Sequence, residues 1–139
     1  MMTKSIIKIY GKDKLSYLQG IITNDIYSIN NSSIYSAILT PQGKFLNDFF
    51  LIDINKSLFI ECDKNTEESL VTNISKYKLK KDVHFEQVKD WTSLKILDVN
   101  LLKLVGLEHK LGKTKTFNGL IFYIDPRSLN LGVNIVGEI

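Results

Sequence analysis

The hydrophobic pattern of the first residues predicts a strand followed by a helix. Residues 5–10 are rich in isoleucine, which is typical of a strand. Leu15, Leu18 and Ile22 follow at helical spacing, although Gly20 is expected to break or kink this helix. The chain therefore begins with a β-α unit.

The middle of the chain has the pattern of a three-stranded meander. Residues 34–40 and 45–54 are joined by Pro41-Gln42-Gly43, in which proline presets φ for a tight turn and glycine relaxes the exit. Residues 58–62 form a third apolar run after a polar turn. Because residues 45–54 are apolar on both faces, this strand is expected to be central in its sheet.

A second helix and a further strand complete the first domain. Asn65 followed by Glu68 is a start like a capping box. Apolar side chains then mark one helical face, at Leu70, Ile74 and Tyr77. Residues 83–88 contain the apolar side chains of another strand. The order β-α-β-β-β-α-β over residues 1–89 predicts an α+β, ferredoxin-like domain with both helices on one face of the sheet.

A second α+β unit is predicted over residues 90–139, beginning near Trp91. Its expected elements are strands at 94–97, 120–124 and 131–136, a short helix at 101–107 and a turn at Asp125-Pro126. The unit is not closed at residue 139, so we expect the beginning of a truncated second domain.

Composition and charge favour an ordinary soluble, intracellular protein. Of the 139 residues, 44% are hydrophobic and 24% are charged, which excludes a disordered or fibrous chain. No apolar run approaches the roughly 20 residues that a membrane span needs, so no membrane partner is expected. The net charge is +3 and Arg127 is the only arginine. Direct nucleic-acid binding is therefore disfavoured, because phosphate forks and base readout favour arginine.

Cysteine and histidine are too few for a structural metal centre. Cys62 is the only cysteine, so an intramolecular disulfide cannot form and a reducing compartment fits. Structural zinc and iron–sulfur sites usually need about four Cys or His ligands, and only His84 and His109 could add to Cys62. We expect no metal site, and we expect Cys62 to be a small buried hydrophobe.

Asp48 is the strongest candidate for ligand binding. Strand periodicity places it on one face with Phe50 and Ile52, where a carboxylate is costly unless it is paired or hydrogen-bonded. One interpretation is a structural carboxylate. The other is a ligand acid whose two oxygens accept the N–H pair of a pterin or guanine edge. Tyr35 likewise fits either a half-buried strand tyrosine or a wall against a flat ring.

Five short motifs occur in a fixed order along the chain. They are Gly11-Lys12-Asp13, Leu18-Gln19-Gly20, Thr23-Asn24-Asp25, the segment 40–44 and the segment 48–52. Together they resemble the YgfZ family, which belongs to the folate-binding superfamily of the glycine-cleavage T-protein, an aminomethyltransferase. Residues 76–83 and Asp125-Pro126-Arg127 resemble later stretches of the same family.

The resemblance implies a T-protein-like fold with tetrahydrofolate in a central cavity. Asp48 matches the aspartate that meets the pterin in the T-protein, and Tyr35 matches a tyrosine that lines the same site. Asn47 replaces the first of two adjacent T-protein acids, as the YgfZ branch tolerates. No catalytic residue is assigned, because aminomethyl transfer is not expected of this branch.

The resemblance also implies a role in the maturation or repair of iron–sulfur proteins, which in bacteria has been linked to tRNA modification. Iron–sulfur enzymes are therefore the expected partners. The expected location is the cytoplasm of a bacterium or the mitochondrial matrix of a eukaryote. The family's Lys-Gly-Cys signature lies further downstream in its longer members. The chain is thus expected to correspond to their N-terminal half, either truncated or complemented by a C-terminal chain.

Two other functions remain open from the residues alone. One is a ferredoxin-like interaction module or degraded fragment that no longer binds a cofactor and associates through exposed apolar surface. The other is an RNA-contacting module that uses the lysines of residues 76–81. The mild net charge and the single arginine make the RNA-contacting module the weakest of the three.

Overall fold

The computed structural model describes residues 3–139, so Met1 and Met2 of the predicted domain 1–89 lie outside it. The first part contains β1 (Lys4–Tyr10), α1 (Lys14–Gln19), β2 (Ser33–Leu39), β3 (Phe45–Ile54), β4 (Ser57–Asp63), α2 (Glu67–Ser75) and β5 (His84–Gln87). The second contains β6 (Thr92–Ile96), α3 (Asn100–Val105), β7 (Thr114–Phe117), β8 (Leu120–Ile124) and β9 (Val133–Gly137). Across this described range, we find no helix with the length and apolar character of a membrane span.

The first sheet has the strand order β2-β3-β4-β1-β5, with every neighbouring pair antiparallel. The path β1-α1-β3-β4-α2-β5 is ferredoxin-like, and β2 extends the sheet at one edge. Both helices cover the same face, where Leu18 of α1 and Leu70 of α2 share a buried core with Leu51 of β3. The predicted α+β class and element order are confirmed.

Some predicted helix details are wrong. The first helix ends at Gln19, and Ile22 forms a β-bridge with Ile38 instead of a further helical turn. At the second helix, Asn65 lies within a 3-10 turn, so Thr66 is the N-cap and no capping box forms. Tyr77 lies beyond the end of α2 and is exposed, because the helix stops at Ser75.

The motif residues Gly11 to Asp13 form a clasp with Asp82, which lies just before β5. The amide of Asp13 donates to the Asp82 carbonyl at 2.9 Å, and the Asp82 amide donates to the Asp13 carboxylate at 2.8 Å. The Lys12 amide donates to the Asp82 carboxylate at 3.0 Å and, together with the His84 ring, holds the pKa of Asp82 below its usual value. These motif residues therefore have a structural role.

The second sheet has the order β6-β9-β8-β7 and is antiparallel throughout. One face packs on α3 through Leu102, Val105, Phe122 and Ile124. The other face packs against the open face of the first sheet through Ile121, Tyr123, Val136, Ile6, Phe50 and Ile52. The strand β7 was not predicted, because three of its four residues are polar. The chain is thus a helix layer, two stacked sheets and a second helix layer.

Candidate ligand cavity between the two sheets

A cavity of about 370 Å³ lies where the two sheets meet. The pairing of β3 with β4 ends at Phe50 and Glu61, although β3 begins at Phe45 and β4 continues to Asp63. Beyond this point β3 is paired only with β2 and β4 only with β1, so the two strands no longer contact each other through backbone hydrogen bonds and can line an opening. The polar and charged lining residues are Lys4, Tyr35, Asp48, Glu61, Asp63, Ser93, Lys95, Arg127 and Asn134.

Two rows of cross-strand neighbours build the cavity walls. On the first sheet, Phe50 lies between Tyr35 of β2 and Glu61 of β4. On the second sheet, Asn134 of β9 is the register partner of Lys95 of β6 and Tyr123 of β8. Because side chains opposite one another in antiparallel strands share a face, each row presents its side chains together.

The structure brings the two residues predicted from sequence, Asp48 and Tyr35, into direct contact. The Tyr35 hydroxyl donates a hydrogen bond to Asp48 Oδ2. This bond is the main reason why the pKa of Tyr35 is raised, because it favours the protonated phenol. Asp48 is exposed, and it lines the cavity on the same face as Phe50. Asn47 points to the helix side, where Asn73 Nδ2 donates to its Oδ1 at 2.7 Å.

Arg127 is a cavity residue that sequence reasoning did not single out. Its guanidinium forms a fork with Asp125, from Nε at 3.0 Å and from a terminal nitrogen at 2.7 Å. The same group lies 4.9 Å from the centre of the Phe50 ring and 5.2 Å from that of Tyr35. These distances are typical of cation–π contacts. The only signal in the sequence was that this single arginine lies within a family motif.

A fully buried carboxylate, Asp125, holds two cations at the cavity. Lys95 Nζ donates to Asp125 Oδ2 at 3.1 Å and to the Leu131 carbonyl at 2.8 Å. Burial of Asp125 opposes its ionisation, but the hydrogen bonds from Arg127 and Lys95 outweigh burial and lower its pKa. The Asp125 carboxylate therefore fixes the positions of both cations through these hydrogen bonds.

Glu61 is a second carboxyl group that the sequence analysis missed. It is only 2% exposed, and the Tyr123 hydroxyl donates to its Oε1 at 2.9 Å. Burial raises the pKa of Glu61 despite this hydrogen bond and the positive charges of Lys4 and Lys95. The cavity thus has an exposed carboxylate, Asp48, near its opening and a buried carboxyl group between the sheets.

The side chain of Cys62 lies on the other face of β4, which packs against the helices. Cys62 is buried in the helix-side core, as expected for a small hydrophobe, and burial raises its pKa to about 12. Within residues 3–139, no cluster of three or more Cys, His, Asp or Glu side chains could hold a metal ion.

The cavity residues fit the pterin end of a folate. A volume of about 370 Å³ is within the usual range of small-molecule sites. The lining offers carboxyl oxygens for ring N–H groups, together with an aromatic ring and a guanidinium for the flat ring. The amide Nδ2 of Asn134, which is buried there, has no hydrogen-bond partner within the described range.

The fold of the chain is that of the glycine-cleavage T-protein. The crystal structure of glycine cleavage system aminomethyltransferase T from Bartonella henselae matches it with a TM-score of 0.78 and 13% sequence identity. The match covers 96% of this chain and 39% of that chain. This similarity defines the fold.

The sequence is similar to iron–sulfur cluster assembly factor IBA57 homologues described as mitochondrial. The homologue of Pyricularia oryzae is 32% identical over 94 residues, which is 65% of this chain and 24% of that protein. The homologue of Mycosarcoma maydis is 25% identical over 144 residues, which is 93% of this chain and 33% of that protein. No family model matches the chain.

Fold and sequence together confirm the predicted resemblance. The chain has the T-protein fold and is similar in sequence to the IBA57 homologues. It spans between 24% and 33% of the length of the two IBA57 homologues.

Proposed function

We propose that this chain binds tetrahydrofolate, or a one-carbon form of it, in the cavity between the two sheets. The observation that carries the proposal is the grouping of Asp48, Tyr35 and Arg127 along one side of the cavity. A flat ring can lie against the aromatic and guanidinium groups while its N–H groups donate to the carboxylate. The resemblance of the sequence motifs to the folate-binding superfamily implies the same class of ligand.

The residues of the chain would orient the ligand. The Tyr35 hydroxyl fixes one oxygen of Asp48 and leaves the other to accept from the ring. Asp125 fixes the guanidinium of Arg127 by its fork. A bound tetrahydrofolate supplies a carrier for one-carbon groups. We assign no catalytic residue and propose no aminomethyl transfer.

The cellular role that we propose is support of iron–sulfur protein assembly or repair. The names of the similar IBA57 homologues support this role. The proposed partners are iron–sulfur enzymes, including one that modifies tRNA, and a chain that supplies the C-terminal part found in longer relatives. The proposed location is the mitochondrial matrix in a eukaryote or the cytoplasm in a bacterium.

Isothermal titration calorimetry tests whether the chain binds tetrahydrofolate. Wild type should bind, and Asp48→Asn should bind at least about tenfold more weakly, because the amide loses the charge-assisted acceptor. Asp90→Asn is the matched control. Asp90 is exposed, lies outside the cavity lining and has a left-handed backbone that asparagine tolerates. It should bind like wild type.

The possible outcomes test the role of Asp48 and the binding of folate separately. Equal heats for wild type and Asp48→Asn would overturn the assignment of Asp48. No heat with wild type would overturn folate binding and favour an interaction module without a cofactor.

The cellular role is tested separately by depleting the protein in its own cells. Iron–sulfur enzymes should then lose activity relative to enzymes without clusters, and equal activities would contradict the role.

A further inference from the structure

A groove of about 540 Å³ lies on the helix side of the first sheet, and among the described residues it shares none with the cavity between the sheets. One wall is the hairpin that joins β2 to β3, and the other is the end of α2 with the turn that follows it. We call it the hairpin groove, and the residues that define it are Ile21, Ile38, Leu39, Leu46, Lys76 and Tyr77. A groove of this volume has room for several side chains of a ligand.

The hairpin groove exposes apolar side chains that the core leaves uncovered. Leu46, Leu39 and Tyr77 are 38%, 41% and 54% exposed. A register shift between Ile38 and Leu39 leaves Leu46 of β3 without a partner in β2. Such a bulge redirects a side chain, and Leu46 lines the groove together with Leu39 and Tyr77. Exposed apolar side chains that are grouped in this way are typical of a binding surface.

Hydrogen bonds hold both walls of the hairpin groove in place. Asn73 Nδ2, in the last turn of α2, donates to Asn47 Oδ1 of β3 at 2.7 Å. Within the hairpin, the Thr40 amide donates to the Lys44 carbonyl at 2.7 Å, and the Lys44 amide donates to the Thr40 hydroxyl at 3.0 Å. Because the walls are fixed before a ligand arrives, little conformational entropy is lost on binding.

Lysines lie along both walls of the hairpin groove. Lys44 belongs to the hairpin, and Lys76 lies on the opposite wall with its Nζ 5.8 Å from the centre of the Tyr77 ring. We define the rim lysines as Lys44, Lys76, Lys78, Lys80 and Lys81. In the part of the chain that the structure describes, none of them forms an ion pair. An apolar groove beside uncompensated cations is complementary to a ligand that is both apolar and negatively charged.

We propose that the hairpin groove binds a peptide segment of a partner protein in which apolar side chains are flanked by aspartate or glutamate. The apolar side chains of the peptide cover Leu39, Leu46 and Tyr77, and its carboxylates pair with the rim lysines. RNA fits this surface less well, because the lining is mostly apolar and lysine lacks the guanidinium fork that suits phosphate. A membrane also fits less well, because proteins bind bilayers through protruding apolar faces and not through grooves.

Selection of short random peptides displayed on phage, with the purified chain as the target, tests the proposal. The selected peptides should combine apolar residues with an excess of Asp and Glu. Their affinity for wild type, measured by fluorescence polarisation, should fall at least about tenfold in Tyr77→Ser and at least about fivefold in Lys76→Glu. Raising the salt concentration should also weaken binding, because the rim lysines are exposed or half-buried.

Each variant has a matched control elsewhere on the surface. Tyr27 is 59% exposed and lies outside the groove lining, so Tyr27→Ser should bind the peptides like wild type. Lys103 is exposed and lies in the last turn of α3, so Lys103→Glu makes the same change of charge at another helix end. It should also bind like wild type.

Two further measurements separate peptide binding from folding and from the proposed function. Tyr77→Ser should unfold at nearly the same urea concentration as wild type, because the side chain is already exposed. If it does not fold, Leu46→Ser takes its place, with Leu129→Ser as a control of similar exposure. Tyr77→Ser should leave the heat of tetrahydrofolate binding unchanged, so loss of the peptides and loss of folate are distinguishable.

Several results would overturn the proposal. They include a selection that enriches no peptide, selected peptides without an excess of acidic residues, and equal affinity of the peptides for wild type and Tyr77→Ser. Leu79 is 88% exposed beside the rim lysines, so vesicles with anionic lipid and a single-stranded RNA are tested in parallel. Binding of either one that Lys76→Glu abolishes, without binding of any peptide, would assign the surface to that partner instead. A wild-type dimer that Tyr77→Ser converts to a monomer in analytical ultracentrifugation would assign the groove to a second copy of the chain.

Discussion

The hydroxyl group of Tyr123 donates a 2.9 Å hydrogen bond to the carboxyl group of Glu61 and so joins the two sheets. Both side chains are buried, at 0% and 2% exposure. We expect Tyr123→Phe to lower the free energy of unfolding by about 1–3 kcal/mol, because Glu61 then lacks its donor. Urea denaturation followed by circular dichroism measures the change.

Tyr27→Phe is the control for this prediction. Tyr27 is 59% exposed, so the loss of its hydroxyl should change the free energy of unfolding by less than about 0.5 kcal/mol. Similar values for Tyr123→Phe and Tyr27→Phe would show that the bond between the sheets contributes nothing measurable.

Glu61 should also make stability depend on pH. Burial raises its pKa in the folded chain, although Tyr123, Lys4 and Lys95 oppose the shift. Between the ordinary carboxyl pKa and the raised value, the folded state binds a proton that the unfolded state has lost. Stability therefore falls as pH rises through that window, by at most about 1.4 kcal/mol per pH unit.

Glu61→Gln should remove this contribution. We expect the difference in unfolding free energy between the variant and wild type to shift in favour of the variant as pH rises. A series of urea denaturations from about pH 4 to about pH 8 measures it. A difference that stays constant over this range would mean that Glu61 titrates alike in the folded and unfolded states.

Asp125 should make the stability depend on pH in the opposite direction. Its pKa is lowered, so its stabilising effect is present above the ordinary carboxyl pKa and is lost as pH falls through the lowered value. At neutral pH, Asp125→Asn should cost about 1–3 kcal/mol, because Arg127 and Lys95 lose a charged acceptor. Denaturation of Asp90→Asn, at an exposed position, provides the comparison, and an equal effect of both changes would contradict the prediction.

Local periodicity predicted most of the fold and only part of the site. Strand alternation correctly placed Asp48 on the same face as Phe50. It could not show Glu61 or Asn134 as cavity residues, because their proximity depends on the register of β3 with β4 and on the packing of one sheet against the other. Such long-range relationships cannot be inferred from the spacing of apolar residues along the chain.

The missed strand β7 has a different cause. Residues 114–117 are mostly polar, as suits an edge strand, so they give no apolar run. Asn118 and Gly119, which connect β7 to β8, both have positive φ values, 51° and 77°. An Asn-Gly pair is a strong hairpin signal, and in this chain it was the only local indication of the strand.

Gly11 should tolerate no side chain. Its φ is +119°, and a Cβ atom there would lie 2.2 Å from the Asp82 carbonyl oxygen. We expect Gly11→Ala to destabilise the chain by more than about 2 kcal/mol, through backbone strain and loss of the clasp. Gly43→Ala separates the two causes, because Gly43 also has a positive φ but no atom within 4 Å of its Cβ position. It should cost about 1 kcal/mol, and equal losses would contradict a close approach at Gly11.

The thiol of Cys62 should be inert in the folded chain. Burial raises its pKa from 9.0 to about 12, so its thiolate fraction near neutral pH is about a thousandfold lower than that of a free thiol. Since Cys62 is the only cysteine, labelling with a chromogenic disulfide reagent reports on it alone. We expect labelling to be slow in buffer and fast in concentrated urea. Fast labelling in buffer would mean that β4 opens readily on its helix side, and would make Cys62 a reactive thiol in the native chain.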